Sequence, residues 1–353
     1  MWQPLAPPCK SQSIWPEMLT APVSSSILKI RSTWSSSLRM SICLPIFSIS
    51  VRGQRHLIFA TASQLAQLKK AKSWYIDGTF KLCRKPFSQL VSINAFVMSD
   101  DHFKQVPLLY VMMSGRSKRN YREVFLSVIN LLDSHPAVER ITIDFEAALW
   151  SVLRRAFPTV KILGCAFHWT QAVWRKIQEL GLQVSYMLDD ATFKYLRKVM
   201  SLPFLPADKI PRAFQRLLQT ATGQPIQQLM SYIADTWVYG SVWTPVDWSV
   251  YMQSVRTNND IEGWHHRINR KANGKSQLPF YSLIQLLHSD AHLTPLHIRL
   301  VGEKKLKRNH RRAYRTIQAR LFKHWEEYEA SDRSKMSLLR ACSQINYGPA
   351  RSQ

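Results

Sequence analysis

The hydrophobic positions of this chain change period twice. Between residues 55 and 113, short apolar runs dominate. Arg55-His-Leu-Ile-Phe-Ala-Thr61 has the content of a strand, and Ser63 to Ala71 sets Leu65, Leu68 and Ala71 on one helical face. Three strands follow. Trp74 to Asp77 is an apolar run that ends on a carboxylate, with Gly78 marking a turn. In Ser88 to Met98, Val91, Ile93, Ala95 and Val97 alternate with Leu90, Ser92, Asn94 and Phe96, the period of a strand. Val106 to Met113 is nearly all apolar, as in a strand buried on both faces. Lys81 to Phe87 and Ser99-Asp-Asp-His102 read as the hairpin connections.

From Asn120 the period becomes helical. Tyr121, Val124, Phe125, Val128 and Leu132 share one face. Arg140-Ile-Thr-Ile-Asp144 is a fourth strand, again ending on an acid. Ala147 to Phe157 is a helix with Ala148, Leu149, Val152 and Leu153 as its stripe. Val160 to Gly164 is a fifth strand, and Phe167 to Leu180 a helix facing inward through Ala172, Val173, Ile177 and Leu180. Hairpin-joined strands followed by strands alternating with helices predict an α/β fold with a mixed five-stranded sheet flanked by helices. In that sheet the first and fourth strands are neighbours. This is the element order of the ribonuclease-H-like fold.

The second change comes near residue 187, where the pattern turns wholly helical. Phe193, Leu196 and Met200 form one stripe, and Ile210, Phe214 and Leu217 a second. Ile226, Leu229, Met230, Ile233 and Trp237 form a third. Trp237, Trp243 and Trp248 read as core aromatics rather than base-stacking platforms. A helix then starts at Asn258 or Asn259 and stops at Asn273-Gly274, and Leu278 to His288 is another. The expected organisation is a Ser/Pro-rich, poorly ordered segment over 1–52 and the first part of the sheet domain over 53–186. A helical insertion spans 187–250, completion of the core 251–300, and a basic helical region 301–353. Leu306, Tyr314, Ile317 and Leu321 keep a partial seam in the last.

Charge changes the picture most. Lys and Arg total 48 against 23 Asp and Glu, a net charge of +25, which draws polyanions and makes nucleic acid the leading partner. The basic residues cluster in Lys304-Lys-Leu-Lys-Arg-Asn-His-Arg-Arg-Ala-Tyr-Arg315. There Lys304, Lys305, Lys307, Arg308, Arg311, Arg312 and Arg315 would neutralise phosphates. Arg256, Arg267, Arg270 and Lys271 form a second group on a predicted helix. The five cysteines are scattered and odd in number, which predicts no disulfide framework and a reducing compartment. No apolar run is long enough to span a membrane.

Two acids at strand ends, Asp77 and Asp144, would project from one sheet edge. Two anions that close repel unless a cation lies between them, and hard oxygen donors suit Mg²⁺ or Mn²⁺. Glu262, on the helix beyond the insertion, is the third candidate. Singly, each acid is read as readily as a turn acid, a helix N-cap or a first-turn acid favoured by the helix dipole. As a set on this element order, they favour catalysis. Glu146 is the rival acid, expected to point away from Asp144 from inside a helix. Cys165-Ala-Phe-His168 offers half a structural Zn²⁺ site, with His265, His266, His288, His292 and His297 as further donors. The plain alternative is a buried thiol and a helix-terminal histidine.

Four landmarks in order carry a resemblance: Asp77-Gly-Thr-Phe80, Ile143-Asp-Phe-Glu-Ala-Ala148, Cys165-Ala-Phe-His168 and Thr257-Asn-Asn-Asp-Ile-Glu262-Gly-Trp-His265. Together the stretch from about 55 to 325 resembles the catalytic domain of Mutator-like element (MULE) transposases. The resemblance implies a ribonuclease-H-like core, an all-helical insertion before the last acid, and a DDE triad placed by motif on Asp77, Asp144 and Glu262. It also implies metal-dependent DNA cleavage and strand transfer, with transposon ends and target DNA as partners, homo-oligomers, and action in the nucleus. The zinc fingers that family members often carry have no counterpart in the Cys/His spacing, which suggests a truncated or decayed copy. The competing expectation is a non-catalytic DNA-binding host protein derived from a transposase.

Overall fold

The computed structural model describes residues 46–256, 259–306 and 312–345. Its sheet contains β1 (Ile46–Val51), β2 (Gln54–Phe59), β3 (Ser73–Thr79), β4 (Gln89–Ser99), β5 (His102–Met113), β6 (Arg140–Ile143) and β7 (Lys161–Gly164). The order across its seven strands is β1-β2-β5-β4-β3-β6-β7. Pairings from β1 to β3 are antiparallel, while β3–β6 and β6–β7 are parallel. The reason is connection length. Short turns can only reverse the chain, whereas a helical crossover returns it to the same end of the sheet. The sheet is mixed and flanked by helices, an arrangement compatible with the ribonuclease-H-like order.

The expected neighbours, the strands that carry Asp77 and Asp144, do pair, with Tyr75 opposite Thr142. Three expectations are corrected. The sheet has seven strands rather than five. Ile46–Val51 lies in the stretch whose composition predicted poor order, yet it is a strand paired with β2. The cause is the two-residue turn at Arg52 and Gly53, both left-handed with φ of +48° and +79°, which folds this edge strand back on its neighbour. Residues 1–45 of that segment lie outside the described residues. The third correction concerns β3, which does not end at Asp77. It continues through Gly78 and Thr79, opposite Val91 and Leu90.

Helices cover both faces. One face sets Ile58, Trp74, Ile76, Val91, Ile93, Ala95, Ile141 and Ile143 against α1 (Ala62–Lys70), α2 (Lys118–Leu131) and α3 (Ala147–Ala156). A helical block follows β7: α4 (Ala166–Glu179), α5 (Leu182–Leu188), α6 (Asp190–Met200), α7 (Ile210–Leu218), α8 (Gln224–Ile233) and α9 (Pro245–Trp248). The other face of the sheet sets Leu57, Phe59, Tyr75, Leu90, Tyr110 and Met112 against α10 (Asn259–Lys271) and α11 (Phe280–Ala291). α12 (Leu293–Gly302), α13 (Arg312–Glu329) and α14 (Lys335–Gln344) complete the described helices.

The three expected stripes of the insertion are buried in one core with Trp169, Trp237 and Trp248. The tryptophans pack as expected: Trp169 stacks on Trp248 at 5.0 Å and Trp237 on Trp243 at 5.3 Å. Leu321 and Trp325 of α13 and Leu338, Leu339 and Cys342 of α14 enter the same core. The basic C-terminal region therefore has an apolar face seated on the insertion. No helix among the described residues is long and apolar enough to cross a membrane.

Candidate metal centre

Strand period places the first acid. Trp74 and Ile76 face α1 to α3, so Tyr75 and Asp77 face the side covered by α10. The same alternation in β6 sends Ile141 and Ile143 to the first face, and Thr142 and the next residue out, Asp144, to the second. Because Tyr75 stands opposite Thr142 in parallel register, Asp77 and Asp144 come level two residues further on. Asp77 is 5% exposed, and its Oδ1 accepts the Gly78 N–H at 2.9 Å. Glu262 arrives from the first turn of α10, which lies on the sheet through Ile261, Trp264, Ile268 and Ala272. The backbone before α10 is tied in as well: the Ala166 N–H donates to the Arg256 carbonyl at 3.1 Å.

Asp77 feels the charges of both other acids. Burial pushes the Asp77 carboxyl well above the usual range, with the negative charges of Asp144 and Glu262 adding to it and the Gly78 N–H opposing. Burial carries Asp144 up to about 6, Glu146 adds repulsion, and the Arg116 guanidinium pulls the other way. Burial also raises Glu262. Anions gathered in a desolvated edge fit an attached divalent cation, which would reverse each of these penalties.

Glu146 is a correction. It is the N-cap of α3, not a residue inside the helix, and its charge bears on Asp144 instead of pointing away. The Tyr121 hydroxyl donates to Glu146 Oε2 at 2.8 Å and accepts from Gln89 Nε2 at 2.8 Å. This places a fourth carboxylate beside the triad. The sequence signal was the second acid of Asp144-Phe-Glu146, whose direction depends on where the helix starts.

Histidines complete the surroundings. Asp77, His168 and Glu262 each bring a ligand atom to within 4.8 Å of the others, the one group of this kind among the described residues. The His265 Nδ1 lies 3.9 Å from Asp77 Oδ2. The expected Cys165–His168 half-site for Zn²⁺ gains no third ligand among the described residues. Cys165 is fully buried as the N-cap of α4, while His168, one turn later, joins the carboxylates. His288 and His292 share a face as expected, but they pair with each other at 2.9 Å.

A second buried acid anchors the helix that carries Glu262. Asp290 of α11, 2% exposed, accepts the Trp264 indole N–H at 2.7 Å and the Tyr110 hydroxyl at 3.0 Å on Oδ2, and Arg267 at 3.1 Å on Oδ1. One carboxylate thus ties α10 to β5 and α11. Asp290→Asn replaces an acceptor oxygen with a donor nitrogen and removes the charge opposite Arg267. It is expected to cost about 2 kcal/mol of stability, read by chemical denaturation.

The residues expected to touch DNA separate. Arg256 is corrected: it is 1% exposed, its guanidinium lies over the Trp325 ring, and it donates to the Gln253 carbonyl at 3.2 Å, so packing holds it. Arg267 is engaged by Asp290. Arg270 and Lys271 are exposed in the last turn of α10. Lys304 pairs with Asp100 at 2.7 Å and Lys305 with Glu303 at 2.9 Å, both on the surface. Arg312 and Arg315 belong to α13, and Lys307, Arg308 and Arg311 lie outside the described residues.

By fold and site, this is a mixed α/β protein with a group of side chains, Asp77, His168 and Glu262, that could hold a metal ion beside its sheet. Residues 73–172, which hold Asp77, Asp144, Cys165 and His168, match the MULE transposase domain. No curated protein matches the chain.

Proposed function

We propose that the chain acts as a MULE-type DDE transposase of ribonuclease-H-like fold, with Asp77, Asp144 and Glu262 as its catalytic acids. The observations that support this reading are a buried Asp77 on which the charges of Asp144 and Glu262 bear, and the match of residues 73–172 to the MULE transposase domain. Asp77 in β3 and Asp144, one residue past the end of the parallel neighbour β6, would hold divalent cations together with Glu262. Those cations would supply Lewis-acid activation of the attacking oxygen and neutralise charge on the phosphate. The chain's own part is positioning. β3 and β6 hold two ligands rigidly, while α10 brings the third under the control of Asp290.

The reaction is phosphoryl transfer without a covalent protein intermediate. Water attacks the scissile phosphorus and the bond to the 3′ oxygen breaks; the freed 3′-hydroxyl then attacks a phosphorus of target DNA, gives up its proton, and displaces the target strand's own 3′ oxygen, which leaves as a 3′-hydroxyl. The net charge of +25 supports DNA as the partner, with Arg270, Lys271 and the region of α13 as backbone contacts. Self-association would bring two element ends together, and the nucleus is the compartment where such substrates lie.

The purified chain is to be incubated with duplex oligonucleotides and Mg²⁺, Mn²⁺ or EDTA, followed by gel analysis of nicks and joined products. Metal-dependent nicking with strand transfer is the expected result. Nicking without joining points to a nuclease. Salt-sensitive DNA binding with no cutting in any ion favours the non-catalytic binding protein and removes the enzyme reading.

A further inference from the structure

Building on the metal-centre reading, we infer that His168 is a direct metal ligand, so that Asp77, His168 and Glu262 form a mixed oxygen–nitrogen site that takes Mn²⁺ in preference to Mg²⁺. The DDE triad consists of oxygen donors alone. Here an imidazole occupies the position facing two of its members.

The geometry is close to that of a bound ion. Bonds of about 2.1 Å around an octahedral ion place its ligand atoms about 3 Å apart at right angles and about 4.2 Å apart across the ion. The three donors already lie within 4.8 Å of one another, so a small inward movement completes the site. Backbone hydrogen bonds hold the histidine in place. Cys165 N–H donates to the Ile143 carbonyl at 2.9 Å, extending the β6–β7 pairing by one residue, and the Ala166 N–H donates to the Arg256 carbonyl. These two bonds clamp the first turn of α4 between the strand end that carries Asp144 and the segment that leads to Glu262.

A second observation is independent of that spacing. The Nδ1 of His168 is buried and has no hydrogen-bond partner. A buried ring nitrogen without a partner is costly, and a histidine that serves only as a structural cap would satisfy it locally. His265 is the rival nitrogen: its Nε2 is likewise buried without a partner and its Nδ1 is near Asp77, but it lies outside the compact group, and that grouping is what singles out His168.

Donor chemistry then sets the ion. Mg²⁺ holds water and carboxylate oxygens and gains little from imidazole, whereas first-row transition ions bind imidazole well. A nitrogen ligand therefore moves the site toward Mn²⁺ without removing its capacity for Mg²⁺.

Pulsed electron paramagnetic resonance on the full chain with bound Mn²⁺ tests this. Nitrogen coupling is expected in the native protein, and it should take on the ¹⁵N frequency when histidine alone is ¹⁵N-labelled. His168→Ala should remove the coupling and weaken Mn²⁺ binding by about tenfold or more, with a smaller change for Mg²⁺. His265→Gln should keep the coupling. Mn²⁺ bound without nitrogen coupling overturns the inference and leaves the carboxylate triad standing, as does coupling that follows His265 instead. Failure of the native chain to bind Mn²⁺ overturns both. The ¹⁵N measurement on native protein decides the nitrogen question even if His168→Ala does not fold.

Discussion

Asp77→Asn is expected to abolish divalent-ion-dependent DNA cleavage, by about a hundredfold or more, while raising the thermal stability of the metal-free protein. Both halves come from the same buried charge. Asp77 is 5% exposed and shares its pocket with Asp144 and Glu262. The amide keeps the shape and can still accept the Gly78 N–H, but it removes the anion that would hold a cation. Glu262→Gln should likewise stop cleavage with a smaller gain in stability, because Glu262 is less buried than Asp77. Cleavage that survives both substitutions would remove the triad assignment.

The pH dependence follows with a definite sign. Asp77, Asp144 and Glu262 all have carboxyls raised in the folded state. A raised acid binds its proton more tightly folded than unfolded, so the fold is favoured below the unfolded value near 4 and loses stability as pH rises through the folded value. For Asp144, raised to about 6, this corresponds to roughly 2–3 kcal/mol lost between acid and neutral pH without metal. Melting curves of metal-free protein should therefore fall in temperature from pH 4 to 7. Divalent ion should flatten them, and Asp77→Asn should reduce the slope.

Phe145→Ala is expected to destabilise the fold by about 3 kcal/mol and to lower cleavage in the protein that remains folded. Phe145 stands between Asp144 and Glu146. Its ring lies edge-on to Trp237 at 4.7 Å and Trp243 at 5.6 Å, and stacks on Trp150 at 6.0 Å. It bolts the loop that carries two carboxylates to both the sheet core and the helical insertion. Gly164 makes room for it: a Cβ there would fall 2.2 Å from the Phe145 ring. Gly164→Ala should therefore act in the same direction by pushing the ring aside. Denaturant unfolding gives the first effect and turnover per folded molecule the second. A Phe145→Ala protein of native stability and rate would show that the loop is held by other contacts.

Much of the architecture was legible along the chain because period reports burial. The alternation at Leu90 to Val97 placed Val91, Ile93 and Ala95 on one face, and that is where they are buried. The stripes of the insertion were legible for the same reason. β1 was not, because a six-residue edge strand in Ser/Pro-rich surroundings is held by its turn and its partner, not by its own pattern. Glu146 was misjudged because its direction depends on one residue of helix boundary. Arg256 was misjudged because charge suggests a surface while Trp325, sixty-nine positions later by sequence number, covers it.

What the sequence determined by itself was the order of strands and helices, the excess of positive charge, and the two acids on strands that must lie side by side. These are local or nearly local properties, written in side-chain period and chain connection. Which groups come together at the site is settled by packing in three dimensions. His168 joins Asp77 and Glu262 instead of completing a zinc site with Cys165, and Asp290 anchors the helix of Glu262 from α11. Such groupings depend on how α4, α10 and α11 pack against the sheet. Packing is set by the summed fit of three cores, which no single stretch of the chain contains.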